Sequence, residues 1–118
     1  MTGQETEGAF AMIDDRARAI LDELRPALEA LYHERLKGVY LYGSYARGEE
    51  DEESDVDVLV VLDRVDRYGS EIERTSYQVA ELSLKYGVSV SRVFVPETDW
   101  FQRETPFLAN VREDAIPA

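Results

Sequence analysis

Hydrophobic periodicity divides this chain into alternating helical and extended stretches. Between Ile13 and Leu36, the positions Ile20, Leu21, Leu24, Leu28 and Leu31 recur at helical spacing, with Asp14 and Asp15 where a helix start favours negative charge. The spacing predicts an amphipathic helix, kinked or restarted at Pro26, because proline lacks an N–H and crowds the preceding turn. Gly38-Val39-Tyr40-Leu41-Tyr42 is a β-branched and aromatic run of strand length. From Asp55 the chain reads Asp-Val-Asp-Val-Leu-Val-Val-Leu. Period two puts Asp55, Asp57, Leu59 and Val61 on one face and Val56, Val58, Val60 and Leu62 on the other. Ser70-Glu71-Ile72-Glu73 fits a capping box, and Ile72, Val79, Leu82 and Tyr86 continue an apolar face to Gly87, a C-cap residue. Val88 to Val95 reads as a third strand. Thr98-Asp99 and Thr105-Pro106 each look like a helix start, the second leading into a terminal helix with Phe107, Leu108 and Val111. The order predicts an α/β (α+β) fold, a small mixed sheet of about three strands covered by helices.

Composition narrows this further. With 118 residues, 44% hydrophobic content and no cysteine, the chain can bury one modest core without disulfides or a cysteine-based metal site. Repeats and low-complexity tracts are absent, so residues 13–118 are expected to form a single domain. Residues 1–12, which include Met1-Thr2-Gly3-Gln4-Glu5-Thr6-Glu7, read as a flexible tail without the basic start of a secretory signal. No apolar run approaches the ~20 residues of a membrane span, and a cytoplasmic location is expected.

Charge bears on partners. A nucleic-acid groove needs a basic stripe, whereas this chain carries 13 Lys+Arg against 25 Asp+Glu, a net charge of -12. Direct nucleic-acid binding is therefore not expected. A nucleoside triphosphate would also be repelled unless magnesium accompanied it. Solubility or a salt-adapted source accounts for the acidic surface equally well.

The candidate chemistry lies between the first two strands, in GSYARGEEDEESDVD at residues 43–57. Gly43 closes the strand. Ser44 is a good N-cap for a helical turn over Tyr45-Ala46-Arg47, with Gly48 ending it and free N–H groups facing an anion. Gly43 and Ser44 thus read as phosphate-binding. Asp55 and Asp57 project together, ~7 Å apart along the strand, and like charges so placed are costly unless a cation lies between them. A phosphate cradle facing a magnesium site is what nucleotidyl transfer from a triphosphate requires. The competing interpretation is an ordinary Gly-Ser turn followed by an acidic loop. Arg47 either contacts a triphosphate oxygen or pairs with the acidic residues nearby. Ser54 is expected to hydrogen-bond the loop, and His33, the single histidine, to lie on the surface. Tyr40 and Tyr42 either line a base pocket or pack in the core. Trp100-Phe101 either contacts a partner or seals the core.

Tyr40 to Leu62 resembles the minimal nucleotidyltransferases of the polymerase-beta-like superfamily, whose signature is a hydrophobic-Gly-Ser-x-Ala-Arg-Gly run leading to Ser-Asp-x-Asp. Gly43, Ser44, Ala46, Arg47, Gly48, Ser54, Asp55 and Asp57 fall on that pattern. The resemblance implies a nucleotidyltransferase fold, ATP and Mg2+, and Asp55 and Asp57 as catalytic metal ligands. It also implies a HEPN-domain toxin as partner, neutralised by AMP transfer to a tyrosine, in a toxin–antitoxin module. Active members of the superfamily take a third carboxylate from a later strand, yet Val88 to Val95 contains no Asp or Glu. Ser89 and Ser91 occupy one face there, while Glu97 and Asp99 follow Pro96. Three explanations stay open: Glu97 reaches back, two aspartates suffice with slow chemistry, or catalysis is lost and binding kept. A non-catalytic subunit that masks a basic partner, and a small-molecule nucleotidyltransferase, are the alternative functions.

Overall fold

The computed structural model describes residues 13–102 and 104–118, so the expected tail at residues 1–12 lies outside the described residues. Helix α1 spans Asp15–Tyr32 and is capped by Asp14, whose Oδ1 accepts from Arg16 N at 2.8 Å and Ala17 N at 3.0 Å. The helix runs unbroken through Pro26. Ile20, Leu21, Leu24 and Leu28 are buried on both sides of that proline. At ~1.5–3 kcal/mol each, the four buried side chains together contribute ~6–12 kcal/mol, which outweighs the ~3 kcal/mol penalty of an interior proline. The helix stops at Tyr32 rather than Leu36. His33 takes φ 50, and a 3-10 turn over His33–Arg35 swings the chain into β1, Leu36–Tyr42.

The turn α2, Ser44–Arg47, leads through an acidic loop to β2, Val56–Leu62, and then to α3, Tyr68–Tyr86. The capping box does not form. Helix α3 begins before Ser70, and Glu71 turns inward to accept a hydrogen bond from the Tyr32 hydroxyl at 2.8 Å. Gly87 ends the helix at φ 66, and β3 follows over Val90–Pro96, two residues later than expected. The short helix α4, Glu97–Gln102, starts one residue before Thr98. Helix α5, Pro106–Asp114, begins where expected, with Thr105 Oγ1 accepting from Leu108 N at 3.1 Å. No described helix is long and apolar enough to cross a membrane.

The sheet is mixed and four-stranded, in the order β3-β2-β1-β4. Strand β1 is antiparallel to β2, while β3 is parallel to β2. The fourth strand, β4 at Ile116–Pro117, pairs with Leu41 and Tyr40 and is too short to carry a periodic signal. Helices α1 and α3 cover the face bearing Val56, Val58, Val60 and Leu62. On the opposite face, Leu59 and Val61 pack with Trp100 of α4 and with Leu108 and Val111 of α5. Strand β2 is therefore sandwiched between helices, which is why it reads as a nearly continuous apolar run. The period-two assignment of its faces holds. The outer edge of β3 is blunted by Ser83 Oγ, accepting from Val90 N at 3.2 Å, and by the Tyr68 hydroxyl, accepting from Phe94 N at 3.3 Å.

Candidate functional site

Antiparallel pairing places Asp57 opposite Tyr42, the last residue of β1, so the turn that begins at Gly43 sits beside the carboxylate. Gly43 has φ 78 and ψ -158. A Cβ there would stand 3.3 Å from Asp57 Cγ and closer still to Oδ2. Glycine is thus required twice, by backbone conformation and by the approach of Asp57. The N-cap of α2 is Gly43, with Ser44 the first helical residue. Gly43 O accepts from Ala46 N at 3.0 Å and Arg47 N at 3.1 Å. That leaves the N–H groups of Ser44 and Tyr45 without a helical acceptor. Tyr45 is buried in the core beneath α1, where its hydroxyl accepts from Arg16 Nη2 at 3.3 Å, and so pins the turn. Gly48 closes it at φ 71.

Asp55 is exposed just before β2, whereas Asp57 is half-buried on the face shared with Leu59. Burial first, and then the Asp55 charge, raise the Asp57 pKa against an opposing pull from Arg47. A half-buried carboxylate with an uncompensated like-charged neighbour suits a hard divalent cation that also takes water and phosphate oxygens. These two aspartates fit such an ion, although no cluster of three His, Cys, Asp or Glu ligands occurs among the described residues. Tyr42 adds a protonated hydroxyl nearby: burial, and then the fields of Asp57 and Tyr68, push its pKa up to about 12.

Arg47 is engaged by protein carboxylates. Its Nε donates to Glu49 Oε2 at 3.0 Å and its Nη1 to Asp114 Oδ2 at 2.7 Å, which ties the turn to the end of α5. A triphosphate would have to compete for this guanidinium. Ser54 shapes the loop as expected: its Oγ accepts from Asp51 N at 3.0 Å, and its N–H donates to Asp51 O at 3.2 Å.

Parallel pairing of β2 and β3 sets Ser91 in register with Asp57, on the face where the sequence resemblance implies a third carboxylate. Glu97 lies six residues beyond Ser91, past the partner of Leu62, or about 20 Å along the strand. It therefore cannot reach back to Asp57, and that explanation falls.

The aromatic residues divide between packing and rim. Tyr40 stacks on buried Trp100 with centroids 5.0 Å apart, so both belong to the core, while Phe101 remains 68% exposed. Tyr42 meets Phe107 edge to face at 5.9 Å, and Phe107 is 44% exposed at the border of the site. Phe107 and Asp114 were not expected near the site. Their position depends on how α5 packs against β1, for which sequence spacing carries no signal. His33 is exposed, far from these groups in the turn before β1.

Residues 21–114 match the family model described as a nucleotidyltransferase domain. The chain is similar to two Methanocaldococcus jannaschii proteins, each named "Putative protein adenylyltransferase". One is 38% identical over 96 residues, covering 80% of this chain and 89% of the relative. The other is 34% identical over 79 residues, covering 67% and 79%. Among solved structures, the fold is similar to one in a toxin–antitoxin crystal structure with AMP-PNP, with TM-score 0.58 and 20% identity over 81% of this chain and 69% of that one. It is also similar to one in the toxin–antitoxin MntA-HpeT, with TM-score 0.53 and 18% identity over 86% and 70%.

Proposed function

Because the chain belongs to the nucleotidyltransferase domain family, we propose that it transfers AMP from magnesium-bound ATP to a hydroxyl of a HEPN-type toxin, and so acts as an antitoxin. The observation that carries this reading is the close packing of Asp57 against Gly43, which supports Asp57 as a metal ligand next to a turn that binds phosphate. The names of the two relatives favour a protein acceptor, and the toxin–antitoxin neighbours favour a toxin.

In this scheme Ser44 Oγ and the N–H groups of Ser44 and Tyr45 bind the terminal phosphate oxygens. Arg47 adds its guanidinium after exchanging Glu49 or Asp114 for phosphate. Asp55 and Asp57 are the residues that would hold the metal. Held there, magnesium would neutralise charge on the triphosphate and polarise the α-phosphorus. Aligned opposite the leaving group, the acceptor oxygen forms its bond to the α-phosphorus as the bond to pyrophosphate breaks, and the hydroxyl proton passes to solvent.

A second reading rests on Ser91, which leaves the site with two carboxylates: the domain would then bind and mask a basic partner without modifying it. One experiment separates the two. The protein is incubated with its HEPN-type partner, ATP and magnesium, and the partner is weighed by intact-mass spectrometry. Mass gain in whole AMP units, lost in the Asp55→Asn/Asp57→Asn double variant, supports transfer. A stable complex with no mass gain sinks the transferase reading in favour of masking, and transfer retained by the double variant removes these aspartates from the catalytic role.

A further inference from the structure

The end of the sheet away from Asp57 carries a second cluster of charged side chains. Arg64, Arg67 and Arg74, from the end of β2 and the start of α3, meet Arg35 around a cleft of about 340 Å³. From Asp57, β2 runs a further five residues to Leu62, about 17 Å, before the chain enters this cleft. Four guanidinium groups thus share one cleft with two carboxylates, Asp66 and Glu71. In a chain with 13 Lys+Arg against 25 Asp+Glu, that is a local reversal of charge.

The cleft is held from beneath. Glu71 is 5% exposed and accepts from the Tyr32 hydroxyl at 2.8 Å and Arg74 Nε at 3.1 Å, with Arg35 Nη2 at 3.5 Å. Burial works against its charge, but the hydrogen bonds from Tyr32 and Arg74 and the two cations prevail and keep it ionised. Arg35 also donates to Asp63 Oδ1 and to Arg64 O, each at 3.0 Å. Two of the four guanidinium groups are therefore fixed before any ligand arrives. The other two are available. Arg64 pairs with Asp66 at 3.2 Å where both are largely exposed, and Arg67 makes no ion pair with a described residue. Arg67 is also the N-cap of α3 and supplies no side-chain cap. Its carbonyl accepts from Ser70 N and Glu71 N, which leaves the N–H groups of Tyr68 and Gly69 without a helical acceptor. Around Gly69 the surface is open.

We propose that this cleft is a second anion site, which takes a compact phosphorylated ligand: inorganic phosphate or pyrophosphate, free or as the terminal phosphates of a nucleotide. Guanidinium forks match the oxygens of a phosphate in pairs, and a 19-residue helix directs its positive end toward them. With Asp63, which holds Arg35, counted beside Asp66 and Glu71, the four guanidinium groups keep one cation in excess, which suits an anionic ligand. A nucleic-acid strand is disfavoured, because beyond the cleft it would run onto a surface of strongly negative charge. This assignment does not rest on the transferase reading, since none of its residues belongs to the Gly43–Asp57 site.

The test follows backbone amide shifts of the whole chain, in EDTA so that Asp55 and Asp57 hold no metal, during titration with pyrophosphate, phosphate, AMP and ATP. Saturable shifts are expected at Arg67, Gly69 and Ser70. Arg64→Ala/Arg67→Ala should weaken binding by about tenfold or more, while Asp55→Asn/Asp57→Asn leaves it unchanged. Binding of ATP together with pyrophosphate assigns nucleotide terminal phosphates, and binding of pyrophosphate without ATP assigns the free anion. The spectrum of each variant reports its folding directly. Absence of saturation up to about 10 mM pyrophosphate overturns the proposal. So does binding that survives the arginine variant but not the aspartate one, and so do equal shifts with succinate or an acidic peptide.

Discussion

Gly43→Ala is the sharpest perturbation the site allows, because one methyl group meets two independent obstacles. The backbone at φ 78 and ψ -158 lies in a region reserved almost wholly for glycine, at a cost of ~1–3 kcal/mol for any other residue. The new Cβ would also stand within contact distance of Asp57, whose Cγ is 3.3 Å away, so the carboxylate or the turn must shift. Together these should remove roughly 2–4 kcal/mol of stability, a fall in Tm of roughly 10–15 °C for a chain of this length. Gly48→Ala is the control. It has φ 71 and nothing within 4 Å of an added Cβ, so it bears only the left-handed penalty of ~1–2 kcal/mol. Thermal unfolding by circular dichroism measures the first effect. Partner modification, followed by mass well below either Tm, measures the second. Transfer should collapse in Gly43→Ala and persist in Gly48→Ala, since the former displaces Asp57 and the latter touches neither carboxylate. Equal transfer by both folded variants would refute the account of why Gly43 and Asp57 lie together.

Three further outcomes follow from the charges. Asp57 has a raised pKa in the folded state, so the stability linked to its protonated form is present below its ordinary value of 3.8 and is lost as pH rises through the folded pKa. In EDTA, Asp57→Asn should therefore be more stable than wild type at neutral pH, with the gain disappearing in acid; a Tm series against pH checks this. Glu71 titrates in the opposite sense. Its folded pKa is lowered, so its contribution is present above 4.5 and fades as pH falls through the folded value. Glu71→Ala, which leaves the Tyr32 hydroxyl buried without its acceptor, should cost roughly 2–4 kcal/mol in urea unfolding at neutral pH. Finally, Arg47 and Asp114 form a part-exposed pair whose coupling in a double-mutant cycle should be only ~0.2–1 kcal/mol. Arg47→Met should raise KM for ATP, whereas Asp114→Asn should leave it unchanged or lower it by freeing the guanidinium; an equal rise in both would assign Arg47 a purely structural role.

The sequence displayed whatever depends on short range. Period two assigned the β2 faces correctly because the strand is buried on both sides and Asp57 interrupts the apolar face only at its end. The placement of the Gly-Ser turn next to the Asp-x-Asp strand was legible because it depends on spacing and backbone conformation. Elements decided by tertiary contact were not. Pro26 reads as a kink or restart of α1, but the helix continues through it because the leucines on either side are deeply buried. Ser70-Glu71 looked like a cap, but Tyr32, Arg35 and Arg74, distant in sequence or a turn away, draw Glu71 inward. Arg47 could not be assigned between phosphate and carboxylate, since Asp114 lies 67 residues away.

Ser91 is the residue on which the catalytic question turns. Its register with Asp57 means that Ser91→Asp would place a third carboxylate on the site face without altering the strand pairing. A two-carboxylate site lacks an evident base, and that loss matters least for an acceptor that gives up its proton readily. A tyrosine hydroxyl has a pKa near ~10, several units below the ~15.7 of water, so it needs less help than an aliphatic hydroxyl would. Transfer by the natural chain should accordingly favour a tyrosine acceptor over a serine placed at the same position of the partner. In Ser91→Asp, a base acting on the acceptor contributes about 10²–10⁴-fold where deprotonation limits the rate, so the serine acceptor should gain more than the tyrosine. The same substitution adds a like charge beside Asp57 and should lower Tm in EDTA, with magnesium restoring part of the loss. Single-turnover rates with the two acceptors, measured for both chains, supply the comparison. If Ser91→Asp binds magnesium more tightly yet accelerates neither acceptor, Ser91 does not occupy the place of a missing base, and the limit on transfer lies elsewhere in the site.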